Sequence, residues 1–542
     1  MMKSLNIVKK YGLWTVPIIL LGGAHLLMKL HPYVSLRKEE ILLLIGVSAC
    51  SCLLIWNKND MRIKNGKSIN DIGFLDVFSK NVESYDVNDE KKNFQYPEID
   101  NRMLFKHPAD TEFLLGKSKV QGKLKWVGIS ENSTNNHILL VGGSGSGKSS
   151  CQIITNLLLR EERSKKDMKI NYLVFDPKGE LYEKTGKSED IVFSPCDRTA
   201  YGYNPLYSLN ESSSEQEIYE VASMITNSVI PLTSAKNQDN GPWNSLARDM
   251  LIGIIIFCVK YKKYTYLPQI INYLVSNQIE FVIEEACKES DENSRVRSFL
   301  QNFIGMSPET LYSVTANLFP KIRKFATDAD LVYAMSANPK KFEMPDLLNK
   351  TIYINIPLNK IGQYACLLFL FIDQFAAWVY SLPEKKSESD RANITLLIDE
   401  TTAIFETMGA IPMEFKNLLR YSRSFGVSVI FSLQSISGLK ILLDEDSVND
   451  VLSNVAYKIY LDSTSETKRL INDVGTYKSR RTTFDKDGKK SVSFEEEDIL
   501  TQKEAFSLGQ SDELICVSCF GYFRFKKVSY YKEKLFKEMI EK

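Results

Sequence analysis

The stretch HILLVGGSGSGKSSCQIITNLLL, residues 137–159, decides how the rest of the chain is read. It opens as an apolar strand, passes through a Gly/Ser loop and ends with helical spacing. Gly142, Gly147, Lys148 and Ser149 fit G-x-x-x-x-G-K-[ST] without a mismatch, in the strand, loop and helix setting that gives the motif its meaning. Loop glycines let backbone N–H groups converge on phosphates, and the helix N-terminus adds partial positive charge. The expected nucleotide-binding residues are Gly142, Gly143, Ser144, Gly145, Ser146, Gly147, Lys148, Ser149 and Ser150, with ATP and Mg2+ as the ligands. Lys148 is expected to reach the β and γ oxygens, and Ser149 to ligate the metal.

A phosphate loop needs an acid pair to become a hydrolase. Asp399 and Glu400 close the apolar strand ITLLI, where such a pair belongs. Asp399 is expected to hold the magnesium shell with Ser149, and Glu400 to orient or deprotonate the attacking water. Gln434 ends the next strand, VSVIFSLQ, where a neutral amide is placed to sense the γ-phosphate. Arg423, with Arg420 the weaker candidate, lies in LLRYSRSFG just before that strand; a guanidinium there is a candidate finger for a neighbouring subunit's nucleotide. The expected catalytic set is thus Glu400, Lys148, Gln434 and Arg423.

At 542 residues the chain exceeds one compact core and calls for roughly three to four structural units. Lys+Arg 68 against Asp+Glu 67 excludes a whole-molecule cationic field, so any nucleic-acid surface is a local patch. The nine cysteines are scattered, as expected of reduced cytosolic thiols rather than a disulfide framework. Cys516 and Cys519 form the only CxxC, and their apolar run, ELICVSCFGYF, is expected to be a buried strand.

Two segments near the amino terminus, about 11–30 and 41–57, lack a permanently charged side chain over most of their length. At 1.5 Å per residue each spans roughly 25 to 27 Å, enough to cross a bilayer with snorkelling lysines at its ends. A cleaved signal peptide fits the first segment less well, because no small-x-small site stands out and a second segment follows at once. Residues 1–66 are therefore expected to form a two-span anchor, with the nucleotide loop placing the bulk of the chain in the cytoplasm.

Strand and helix alternation from the phosphate loop onward indicates an α/β fold with a parallel sheet. The nucleotide-binding domain is expected in two parts, 67–210 with the phosphate loop and 327–542 with the acid pair. Between them, 211–326 carries helical spacing throughout, in SEQEIYEVASMITNSVI, WNSLARDMLIGIIIFCVKY and the segments after them. That all-helical insertion accounts for the distance from Lys148 to Asp399. A further helix, GQYACLLFLFIDQFAAWVYSL, is apolar nearly all round, but Asp373 at its middle points to a buried core helix rather than a third span.

FDPKGELYEKTG, residues 175–186, adds the distinguishing feature. Locally Asp176 ends a strand and can cap a helix opened by Pro177. Together with NPL at Asn204, Pro205 and Leu206, the helix pattern Trp243, Ala247 and Leu251, the pair Asp399 and Glu400, and the segment Arg423, Gly426, Gln434 and Ser435, it resembles the TraG-like coupling proteins of type IV secretion and conjugation. The two amino-terminal spans agree. FSLGQSDE, residues 506–513, only faintly matches an ABC signature and follows the acid pair instead of preceding it.

The resemblance implies a membrane-anchored, homo-hexameric ATPase with a RecA-like core. It implies that a relaxase-bound single DNA strand is received in the cytoplasm and passed to a type IV secretion channel. Basic stretches compatible with DNA are Lys321, Arg323 and Lys324, Lys165 and Lys166, and Tyr477 to Lys490, the last with a hairpin tip at Asp487 and Gly488. Two alternatives are a nucleotide-gated docking receptor without motor activity and an FtsK-like double-stranded DNA translocase. The second fits less well, because no counterpart of its carboxyl-terminal DNA-reading winged helix is expected here and the helical insertion suits the coupling proteins better.

Overall fold

The computed structural model describes residues 99, 101–130, 137–210, 212–231, 241–384, 393–462, 466–484, 490–518 and 521–541. The two amino-terminal spans, the linker after them and the Asp487–Gly488 tip lie outside the described residues. Among the described residues, 99–479 and 496–541 belong to one compact unit.

The described strands are, in chain order, β1 (Leu104–Phe105), β2 (Phe113–Val120), β3 (Lys123–Ile129), β4 (His137–Val141), β5 (Asn171–Phe175), β6 (Ile191–Phe193), β7 (Gly202–Tyr203) and β8 (Lys341–Phe342). They continue with β9 (Ile352–Ile354), β10 (Ile394–Ile398), β11 (Val427–Leu433), β12 (Val455–Tyr460), β13 (Thr476–Phe484), β14 (Lys490–Asp498), β15 (Glu513–Ser518) and β16 (Gly521–Lys526). Twelve of them form one sheet in the order β1-β3-β2-β16-β15-β12-β4-β11-β10-β5-β9-β6. From β12 to β6 the pairing is parallel throughout. From β15 outward it is antiparallel. β13 pairs with β14, and β7 with β8.

The central strands HILLV, NYLVF and ITLLI are buried at every position, as a parallel strand covered on both faces must be. Their period of two divides the core between the faces. Leu139, Val141, Leu173 and Phe175 join one cluster; Ile138, Leu140, Tyr172 and Val174 join the other. The second face carries the helical run after the phosphate loop, through Ile153, Ile154 and Leu157. The first carries the helix Ile361–Ser381 and the helical segment.

That segment holds the helices Glu215–Val229, Gly241–Lys260, Leu267–Ser276, Ile279–Glu289, Arg295–Leu300 and Pro308–Ile322, with short turns on to Val332. Their starts are set by side-chain caps. Ser214 and Glu217 form a reciprocal capping box, while Ser294 and Ser307 accept from the N–H groups of Arg297 and Thr310. Ala247 and Leu251 are fully buried, and Trp243 is exposed.

Among the described residues two helices, Pro242–Lys260 and Leu358–Ser381, are long and apolar enough to cross a membrane by length and composition. Both are packed into the protein instead, the second with 78% of its apolar window buried. Its central Asp373 accepts from the Ser228 hydroxyl at 3.1 Å, and Gln374 donates to the Pro205 carbonyl at 2.6 Å. Burial pushes the Asp373 carboxyl up to about 7, with Ser228 opposing and Glu414 adding to the rise. Cys516 is fully buried in β15, as the apolar run required.

Candidate active site

β4 delivers the phosphate loop at the carboxyl edge of the parallel sheet. Gly147 has φ +101°, and a Cβ there would lie 2.9 Å from Cys151 Sγ. A Cβ on Gly142 would lie 2.5 Å from Ser146 Oγ. At Gly147 the left-handed backbone strains any side chain, and at Gly142 an added Cβ would crowd Ser146 and the Asp462 backbone at 3.2 Å, so glycine keeps the loop tight at both positions. The helical run that follows opens with wide turns over Lys148–Ile153. It is pinned at its far end by Arg160, whose guanidinium holds Asp190 at 2.8 and 3.1 Å and the Thr185 carbonyl at 2.7 Å. Gln152 and Asn156 tie the same run to β2, donating to the Leu115 and Leu114 carbonyls.

The Lys148 ammonium donates to the carbonyls of Gly142 at 2.5 Å and Gly143 at 3.2 Å. Burial lowers its pKa, and Glu400, Asp399 and Asp462 oppose that shift. Ser149 Oγ donates to Asp399 Oδ2 at 3.0 Å across 250 residues of sequence. Asp399 Oδ1 accepts from Ser432 Oγ at 2.9 Å, so β11 orients the carboxylate from the side opposite Ser149. One hydroxyl and one carboxylate suit magnesium, which takes most of its shell from phosphates and water. Among the described residues no cluster of three or more His, Cys, Asp or Glu offers a complete protein cage.

Sheet order explains the remaining contacts. β11 lies between the phosphate-loop strand β4 and the acid strand β10, so Gln434 leaves β11 beside Glu400. Gln434 Nε2 donates to Glu400 Oε2 at 3.1 Å. β5 flanks β10 on its other side, and Lys178, three residues beyond β5, reaches Glu400 Oε1 at 2.5 Å. Burial alone would raise the Glu400 pKa; the bonds from Lys178 and Gln434 outweigh it and leave it lowered. Glu400 itself sits at φ +55°, ψ 42°, a left-handed backbone that costs a non-glycine residue about 1 kcal/mol or more.

Asp176 is buried beneath this group. Its Oδ2 accepts from the Tyr182 N–H at 2.9 Å, inside the first turn of the helix Glu180–Thr185; that helix opens after Gly179, which occupies the N-cap in a left-handed conformation, rather than at Pro177 with Asp176 as its cap. Burial pushes its carboxyl up to about 6, and nearby Asp399 adds to the rise against backbone donors that include Tyr182.

The structure therefore brings Lys148, Ser149, Asp399, Glu400 and Gln434 together. Arg423 stands apart. It precedes β11 at the amino edge of the sheet, where its guanidinium donates to the Asn454 carbonyl. Burial, then the nearby Arg423 charge, pushes the first residue of β4, His137, down to about 3. Arg420 pairs with Asp450 at 2.7 Å.

Several of the basic residues are engaged internally. Lys165 pairs with Glu161 and Glu162, Lys166 pairs with Asp110, Lys321 bonds Asn244 and Asn317, and Lys324 donates to the Gln363 carbonyl.

Sequence reasoning missed Lys178, Ser432 and Asp462. Lys178 lay inside the quoted FDPKGELY, but without the strand order nothing linked it to Glu400. Asp462 follows β12 and packs between the phosphate loop and FSLGQSDE: a Cβ added to Gly143 or Gly509 would lie 3.1 or 2.6 Å from its carboxylate. The segment set aside as a false signature thus lines the same neighbourhood.

Residues 91–542 match the model of the family described as Type IV secretory system Conjugative DNA transfer. The chain belongs to that family. Solved structures with the same fold include the bacterial conjugative coupling protein TrwBdeltaN70 in an unbound monoclinic form, with TM-score 0.59, 16% identity and 76% of this chain and 88% of that chain covered. Plasmid coupling protein TrwB in complex with the ATP analogue ADPNP gives TM-score 0.55 at 16% identity, over 74% of this chain and 87% of that one. TrwB with the GTP analogue GDPNP gives 0.53 at 16% identity, over 74% and 88%. No curated protein matches this conjugative DNA-transfer family member. At these identities the likeness to TrwB is one of fold.

Proposed function

We propose that this chain is the ATP-hydrolysing coupling protein of a conjugative type IV secretion system. The observation that carries the reading is the convergence of Ser149, Asp399, Glu400 and Gln434 beside the Lys148 loop, held by bonds of 2.9 to 3.1 Å. The tight glycine loop fits phosphate, and the Ser149 and Asp399 oxygens fit magnesium; the TrwB complexes with ADPNP and with ADP and Mg2+ support both. ATP with magnesium supplies an electrophilic phosphorus and a leaving group. The chain's own residues do the rest. Lys148 and the loop amides orient and neutralise the phosphates, Glu400 takes a proton from the attacking water, and Gln434 holds the Glu400 carboxylate in place.

On this reading the amino-terminal spans anchor the protein in the cell membrane with its bulk in the cytoplasm. The helical insertion, 211–326, receives the relaxase-bound single strand, and a homo-hexamer passes it to the secretion channel. Family membership supports DNA transfer as the setting.

The test is ATP turnover by the purified full-length chain in detergent, with and without single-stranded DNA. Wild type is expected to hydrolyse ATP faster with DNA. Glu400→Gln is expected to keep ATP binding and lose turnover by roughly 10²- to 10⁴-fold. Transfer that survives Glu400→Gln in cells would instead identify a nucleotide-gated receptor that needs only the bound state.

A further inference from the structure

The loop Asp176–Gly179 joins β5 to the helix Glu180–Thr185. β5 and β10 are paired in register through Phe175 and Ile398, so this loop emerges beside the end of the acid strand. That adjacency sets Lys178 Nζ 2.5 Å from Glu400 Oε1, while Gln434 from β11 occupies Oε2 at 3.1 Å. Each oxygen of the carboxylate is thereby engaged by a different neighbour of β10. Gln434 is a neutral donor, but Lys178 is a cation with 39% of its side chain exposed against 12% for Glu400. The ammonium can therefore swing into solvent without being stranded in the interior, which the carboxylate cannot do as easily.

We propose that Lys178 is a positioning residue that restrains the general base: paired with Glu400 it keeps the carboxylate turned from the attacking water, and its release permits hydrolysis. The inference rests on reading Glu400 as that base. The restraint is also well placed to be controlled. Pro177, the residue before Lys178, accepts from the Leu358 N–H at 3.1 Å, and Leu358 opens the short turn Leu358–Lys360 that leads directly into the helix Ile361–Ser381. That helix carries Asp373, bonded to Ser228 of the helical segment. The pair therefore stands one backbone hydrogen bond from the chain leading into the helix on which that segment packs. Occupancy of the helical segment by a nucleic-acid strand is the event that this route would report.

A competing role for the same cation is direct contact with nucleotide phosphate, since its charge already reaches Lys148. The two roles part in steady-state kinetics. With the full-length chain in detergent and no DNA, Lys178→Met is expected to raise kcat with KM for ATP unchanged. If the released state is about 10% populated in wild type, the rise is about tenfold. Lys178→Arg, which keeps a cation on Glu400, is expected to return the rate to the wild-type value. In the nucleotide-free protein, the melting-temperature changes of Lys178→Met and Glu400→Gln are expected to be non-additive, because either one removes the pair. Lys178→Gln serves in place of Lys178→Met if the latter does not fold.

A fall in kcat, or a several-fold rise in KM, overturns the restraint and assigns Lys178 to the phosphates. Additive melting shifts overturn the pair itself. An unchanged Lys178→Met rate beside normal wild-type turnover removes the restraint while leaving the hydrolase reading in place. Absence of turnover in both proteins, with nucleotide bound, overturns the hydrolase reading and the restraint with it.

Discussion

The Lys148 ammonium, resting on the carbonyls of Gly142 and Gly143, shows how few groups the site needs to be ready for phosphate. A buried cation of this kind is satisfied by loop oxygens and by the charges of Glu400, Asp399 and Asp462 around it. Lys148→Ala is expected to abolish measurable ATP binding in a nucleotide-binding titration while leaving the protein in the membrane fraction. Native-level transfer in that variant would refute an essential ATP site. Ser149 is a separate matter. Its hydroxyl meets Asp399 directly, so Ser149→Ala is expected to weaken the magnesium dependence of binding, by about 1.5 to 3 kcal/mol for a lost bond to a charged group.

At the scale of elements, the helix Ile361–Ser381 shows what a buried carboxyl does to stability. Asp373 is raised from an ordinary 3.8 to about 7, chiefly by burial, with Ser228 and Glu414 as its polar neighbours. Below about pH 4 the folded and unfolded chains both hold its proton. Between about pH 4 and 7 the unfolded chain releases it and the folded chain keeps it, so stability falls as pH rises through that window and then levels. The ceiling on this effect is about 4 kcal/mol. Asp373→Asn removes it. The melting temperature of that variant, relative to wild type, is expected to climb from about pH 5 to about pH 7.5. A difference that stays flat across the range would show that Asp373 does not titrate in the fold.

At the scale of the molecule, Arg423 and Gln434 mark opposite ends of β11, a strand of seven residues and hence roughly 20 Å long. An arginine at the amino edge of the sheet is far from its own chain's phosphate loop at the carboxyl edge. Any catalytic role for it must be exercised on a neighbouring subunit, as a ring of RecA-like domains would allow. Mixing Arg423→Ala with Lys148→Ala subunits is expected to restore part of the ATP turnover that each lacks alone. No rescue at any ratio would remove the finger and leave Arg423 as the group bonded to Asn454.

Contiguous residues by themselves determined the phosphate loop, the acid pair and the parallel core strands. A glycine turn, a buried strand and a helix start are set by short-range backbone geometry and by period, which a sequence displays directly. The helical segment was legible for the same reason, although its boundaries in the structure follow caps such as Ser214 rather than composition. The antiparallel extension was not read. Neither β12, which continues the parallel run beside β4, nor β15 and β16, which turn it antiparallel, was assembled into a sheet, because choosing a pairing partner requires distances that no local pattern encodes. The same limit hid Lys178, which meets Glu400 only because β5 flanks β10. It left Arg423 without an edge of the sheet to belong to. Ser149 and Asp399, 250 residues apart, were assigned to one metal by motif, but their 3.0 Å contact is the work of the tertiary fold.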